Sequence, residues 1–159
     1  MSGRETVGDF KDLPFSDQVA TVAKDLTTHY WTEDSLVIAN SFGAYLFLNA
    51  QRLIDPYIGK VLLLSPIVGE FSNEETGTSF VPPQSGRLFE LSESGSYPVP
   101  ARCEIHVGEL DWQSNPSRVI RFATPLGMDV TVVPNGGHML DKGYVAALLD
   151  RWLPSLKKE

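Results

Sequence analysis

Two periodicities alternate along this chain. Behind Ser16, the residues Val19, Val22, Leu26 and Tyr30 recur every three or four positions, which predicts an amphipathic helix with Ser16 as its cap. SLVIAN (residues 35–40) and KVLLLS (60–65) are apolar runs without polar residues at alternate places, and they predict strands covered on both faces. Residues 42–55, between them, are apolar on most sides and read as a buried helix. RCEIHVG (102–108) is a third strand. Asn115 followed by Pro116 opens another helix, with Val119, Ile120, Ala123 and Leu126 on one face and Gly127 at its stop. MDVTVVP (128–134) is a fourth strand and GYVAALLDRWL (143–153) a final helix.

Strands alternating with helices, without internal repeats, predict an α/β three-layer sandwich: a short, mostly parallel sheet of about four strands with helices on both faces. At 159 residues and 42% hydrophobic composition the chain forms one domain with its own core. Between residues 66 and 100 the pattern dissolves into Gly, Ser, Pro and Glu. Strand and helix resume afterwards with the same period, so this stretch is an irregular excursion from the domain and not a linker.

Charge narrows the range of partners. The chain carries 20 acidic and 13 basic side chains, a formal charge of −7, and no Lys/Arg cluster that would face a phosphate backbone. Nucleic acid is therefore not an expected partner. No apolar run approaches a bilayer span, and the opening MSGRETVGDFKDL lacks a signal-peptide segment, so a soluble, cytoplasmic protein without a membrane partner is expected. The one cysteine, Cys103, lies in the third predicted strand, where it reads as a buried, inert thiol.

Ligands of parallel sheets bind beyond the carboxyl ends of the strands. Ser41 follows the first strand, Asp111 follows the third within GELDW, and His138 follows the fourth within PNGGHML. A hydroxyl, a carboxylate and an imidazole thus share one rim. Each has a plainer role open to it: a turn serine, a loop-capping carboxylate, a solvent-facing histidine. Glu109 is an alternative acid two residues from Asp111. His29 at a helix end, His106 within a strand and Trp112 beside Asp111 read as structural, Trp112 with a second role open to it in lining the pocket.

The stretch ANSFG (39–43) resembles the nucleophile elbow of the α/β-hydrolase superfamily, Gly-x-Ser-x-Gly between strand and helix, with Ala39 in the first glycine's place. The chain order Ser41, Asp111, His138 is similar to that family's, and the resemblance extends from the helix before the elbow to the last helix. It implies a nucleophile at Ser41, a general base at His138, an orienting carboxylate at Asp111 and an oxyanion donor in the backbone N–H of Phe42. The implied reaction is hydrolysis of a small carboxylic ester or related acyl compound through an acyl-enzyme. No metal or organic cofactor is expected, since no two potential ligands share zinc-site spacing. Two other readings stay open: a catalytically impaired relative that binds a ligand or protein through the same rim, and a flavodoxin-like α/β module. NSFGA lacks the repeated glycines of a phosphate loop and the chain has no P-loop lysine, which weighs against the second.

The family's sheet has strands ahead of the elbow, and a loop after one of them supplies the second oxyanion N–H. MSGRETVGDFKDLPF, ahead of the first helix, contains neither a strand-like run nor a His-Gly pair. The elbow strand is therefore expected at a sheet edge, with weak activity, since one lost donor costs on the order of 3 kcal/mol. The unpaired edge between Ser35 and Asn40 is expected to join a second copy in a homodimer, or strands upstream in a longer hydrolase of which this is a shortened version. The excursion would arch over the site, with Phe71, Phe80, Leu88, Phe89 and Tyr97 as apolar lid, pocket wall or anchors to the core. About 35 residues leave no room for a separate cap domain, so short-chain p-nitrophenyl esters should be turned over faster than long-chain ones. The reverse order would exclude a small pocket.

Overall fold

The four apolar runs become the four strands of one parallel sheet, within a computed structural model that describes residues 10–152. A 3-10 turn (Phe10–Asp12) leads into α1 (Phe15–His29), β1 (Leu36–Asn40), α2 (Phe42–Gln51) and β2 (Lys60–Leu64). A hairpin follows, β3 (Phe71–Asn73) and β4 (Thr78–Phe80), and then α3 (Arg87–Glu93) and β5 (Arg102–Gly108). α4 (Pro116–Ala123) ends in a 3-10 turn (Thr124–Leu126), and β6 (Asp129–Val133) and α5 (Lys142–Trp152) complete the order. The sheet runs β1-β2-β5-β6 with every pair parallel.

The two faces are covered unequally. Along β2 the side chains alternate: Val61 and Leu63 join the main core with Tyr45, Leu48, Val119 and Phe122 from the helices, while Leu62 and Leu64 meet Leu148 of α5. Helices α1 to α4 pack on the first face, and among the described residues α5 alone packs on the second. Ile38 of β1 pairs with Leu62 and shares its face, yet it is 45% exposed because α5 does not reach it. The expectation of strands covered on both faces therefore holds for β2 and fails for β1. Among the described residues β1 lies at the sheet edge.

Several local readings are also corrected. α1 starts at Phe15 with Pro14 as its cap residue, and Ser16 stands inside the helix without capping it. α2 stops at Gln51 because the Gln51 side chain turns the chain instead: its amide donates to the Asp55 carbonyl at 2.8 Å and accepts from the Tyr57 N–H at 3.0 Å. On α4 the inward residue is Phe122, and Ile120 is 43% exposed. The Asn115 cap and Pro116 at the helix start stand as read, as does Gly127 in the left-handed region at φ 68°. Leu153, at the end of the expected last helix, lies outside the described residues.

Within the otherwise irregular residues 66–100 lie a short hairpin and a seven-residue helix that the sequence pattern does not announce. Strands of three residues and a helix of seven are too short to leave a periodic trace in the sequence. Packing organises them. Leu88 is fully buried in the main core, the Tyr97 ring meets Phe122 at 5.3 Å, and its hydroxyl donates to the Leu48 carbonyl at 2.7 Å. Burial holds the Tyr97 phenol well above its ordinary range, so it remains a donor. Leu88→Ala is expected to cost about 2 to 5 kcal/mol in urea unfolding. A change near zero would mean that the segment does not belong to the core.

Candidate active site

β1 ends at Asn40 and α2 begins at Phe42, which leaves Ser41 alone to reverse the chain. It does so at φ 56°, ψ −122°, a conformation that costs a non-glycine residue about 1 to 3 kcal/mol. Its neighbours hold it there. The Ser41 N–H donates to the Leu64 carbonyl at 3.0 Å, and its own carbonyl accepts from Ala44 (3.1 Å), Ile67 (3.2 Å) and Tyr45 (3.3 Å). The N–H groups of Phe42 and Gly43, in the first turn of α2, have no protein acceptor among the described residues. They form a donor pair at the positive end of the helix.

The acid and base arrive from β5 and β6. β5 ends in Gly108, and a methyl group there would overlap the carbonyl oxygens of both Gly136 and Gly137 and stand 2.5 Å from the Gly136 carbonyl carbon. Only glycine lets the two loops come this close. They are then joined by the Leu110 N–H to the Gly136 carbonyl at 2.8 Å and the Glu109 N–H to the Val133 carbonyl at 2.9 Å. His138 follows directly on this contact.

Ser41, His138 and Asp111 come together in a line. The Ser41 hydroxyl is 2.8 Å from His138 Nε2, and His138 Nδ1 is 2.9 Å from Asp111 Oδ2 and 3.1 Å from Oδ1. Asp111 is 2% exposed, and its carboxylate also accepts the backbone N–H groups of Gln113 and Ser114, each at 2.9 Å. These donors take the place of water around the buried charge. A carboxylate only accepts, so Nδ1 carries the proton and Nε2 is left to accept from the serine hydroxyl.

The alternative acid goes elsewhere. Glu109 accepts the Asn135 N–H at 3.0 Å and braces the turn ahead of His138 without touching its ring. His106 is buried on the α5 face, with Nε2 2.6 Å from Glu104 and Nδ1 2.5 Å from the Tyr144 hydroxyl. Partial burial works to raise the Glu104 carboxyl, but hydrogen bonds from Arg151 and His106 outweigh it and hold the group below the usual range. His29 is exposed at the end of α1. The Trp112 ring packs edge-on against Phe71 at 5.6 Å. Burial, reinforced by Asp129 and Glu104, pushes the Cys103 thiol up to about 12, so it stays protonated and unreactive at neutral pH.

A cavity of about 260 Å³ opens beside Ser41, lined by Phe42, Ile67, Phe71, Phe80 and Gln113. The five aromatic and leucine residues of the 66–100 segment therefore divide. Phe71 and Phe80 wall the cavity, while Leu88, Phe89 and Tyr97 pack on the core, Phe89 against Phe122 at 6.4 Å. Gln113 and Ile67 are cavity residues that sequence reasoning missed; neither stands in a motif. A second hollow of about 400 Å³, near Cys103, Asp129 and Trp152, involves none of Ser41, Asp111 and His138. No group of three or more His, Cys, Asp or Glu among the described residues is arranged to hold a metal ion.

No protein-family model matches the chain, and no curated protein sequence is significantly similar to it. Solved structures match by fold. An α/β hydrolase from the metagenome of sediments of the Mar Chica lagoon, Morocco, superposes with a TM-score of 0.60 at 14% identity, over 90% of this chain and 71% of that one. An α/β serine hydrolase without a lid from Xanthomonas campestris gives 0.51 at 20% identity, over 87% and 56%. The esterase domain of a Rhodothermus marinus protein gives 0.54 at 15% identity, over 91% and 68%. The chain has the α/β-hydrolase fold, and it spans little more than half to about seven tenths of these chains.

The Gly108 contact generates a test. Gly108→Ala should push the His138 loop outward and shift the imidazole resonances of His138 in nuclear magnetic resonance spectra while leaving the circular dichroism spectrum unchanged. Unshifted His138 resonances would mean that the contact does not position His138.

Proposed function

We propose that this chain is a serine hydrolase that cleaves a small carboxylic ester or related acyl compound through an acyl-enzyme. One observation carries the reading: the Ser41 hydroxyl faces, at 2.8 Å, the free nitrogen of an imidazole whose other nitrogen is held by a buried carboxylate. A serine hydroxyl is a weak nucleophile at neutral pH and needs such a base.

In this reading His138 Nε2 takes the Ser41 proton as Oγ attacks the acyl carbon. Asp111 stabilises the imidazolium that forms, and the N–H of Phe42 faces the developing oxyanion, with the Gly43 N–H next to it on the same turn. The bond to the leaving oxygen breaks as His138 returns the proton to it. Water then attacks the acyl-enzyme by the same route and releases the acid. The imidazole must be neutral to accept the proton.

One observation favours a second reading, a module that binds an acyl ligand or a protein without turnover. The free backbone N–H groups of Phe42 and Gly43 both come from one turn of α2, whereas the family's second oxyanion donor comes from a separate loop. Labelling separates the two. A fluorophosphonate should react with the wild type and fail on Ser41→Ala, Asp111→Asn should lose about 10⁴-fold in turnover, and Glu109→Gln should stay within about twofold of wild type. Equal labelling of wild type and Ser41→Ala would remove the hydrolase reading, and a crippled Glu109→Gln would reassign the acid.

A further inference from the structure

The cavity beside Ser41 is walled mainly by aromatic rings, with one polar side chain besides the serine. Phe71 and Phe80 stand directly opposite each other in the β3–β4 hairpin, with ring centroids 5.4 Å apart. Phe80 meets Phe42 edge-on at 6.5 Å, and Phe71 meets Trp112 at 5.6 Å. These contacts tie a hairpin too short to stand alone to the turn of Ser41 on one side and to the Asp111 loop on the other. Phe80 nevertheless keeps 42% of its surface exposed as a cavity wall. A flat apolar group seated there would complete the cluster.

Volume limits that group. About 260 Å³ is below the roughly 300 to 1,000 Å³ of sites for drug-sized ligands. A hollow of this size suits a single substituted ring.

Gln113 supplies the direction. Its backbone N–H is engaged by Asp111 at 2.9 Å, but its side-chain amide has no protein partner among the described residues. In an apolar cavity such a group sets orientation, because a ligand that offers it nothing leaves it unpaired once water is displaced.

We propose that the substrates are esters of single-ring aromatic acids bearing a hydrogen-bonding ring substituent, the ring seated among Phe42, Phe71 and Phe80 and the substituent bonded to the Gln113 amide. This rests on Ser41 being the acylated residue. Edge and offset ring contacts favour a flat ring over a saturated one of similar volume. The bond from Ser41 Oγ to the acyl carbon forms, the bond to the leaving oxygen breaks, His138 carries the proton between them, and water completes hydrolysis.

Methyl esters of cyclohexylacetic, phenylacetic and 4-hydroxyphenylacetic acids share a leaving group too small to compete for the aromatic cavity, so ratios of kcat/KM report the acyl pocket alone. The phenyl ester should exceed the cyclohexyl ester about tenfold, and the hydroxyl should add about another tenfold. Gln113→Leu should bring the hydroxyphenyl to phenyl ratio to about one, and Phe80→Ala should do the same to the phenyl to cyclohexyl ratio. Ratios near one in the wild type, with Ser41 still labelled by fluorophosphonate, would overturn the pocket assignment and leave the hydrolase reading standing. Absence of both labelling and turnover would remove both.

Discussion

The geometry of this molecule turns on one strained residue. Ser41 has to end a parallel strand and start a helix within a single peptide, which places it at φ 56° in a region that side chains other than glycine rarely occupy. Four backbone hydrogen bonds absorb that cost, two of them to Leu64 and Ile67 at the end of β2 and just beyond it. The next strand in the sheet therefore holds the serine in place. The same corner frees the first N–H groups of α2 and puts the hydroxyl and the helix N-terminus at one point.

A second constraint acts at the other side of the rim. The loops after β5 and β6 touch backbone to backbone at Gly108 and Gly136, and that contact decides where His138 stands relative to Asp111. Asp111 is in turn fixed by the N–H groups of its own loop, so the imidazole meets a carboxylate that has no freedom to turn away. Ser41 and His138 are 97 residues apart in the chain and 2.8 Å apart in the fold. Two glycine contacts and one strained corner close that gap.

The sheet is asymmetric in a way that bears on the site. β2 and β5 are sandwiched between layers, but β1, which carries the serine, is the edge strand among the described residues and has an exposed Ile38 on the face that α5 leaves bare. The hairpin β3–β4 adds mass on the serine side of this edge, not on the bare face, and it does so through ring contacts with Phe42 and Trp112.

The long elements were legible because each buries a continuous apolar run, and burial writes a period into the residues themselves. The four strands, the buried α2, and the placement of Ser41, Asp111 and His138 after strand ends all follow from that pattern and from the rule that parallel sheets present their strand ends on one rim. Only the tertiary structure decided the rest. Whether Asp111 or Glu109 reaches the imidazole depends on a loop turn that both carboxylates fit chemically, and the backbone N–H groups of Gln113 and Ser114 select Asp111. The order within residues 66–100 comes from contacts with Phe122, Leu48 and Trp112, distant in the chain, so three-residue strands and a seven-residue helix leave no local signal. Gln113 belongs to the cavity for the same reason: a polar residue in a loop becomes informative only once the walls around it are known.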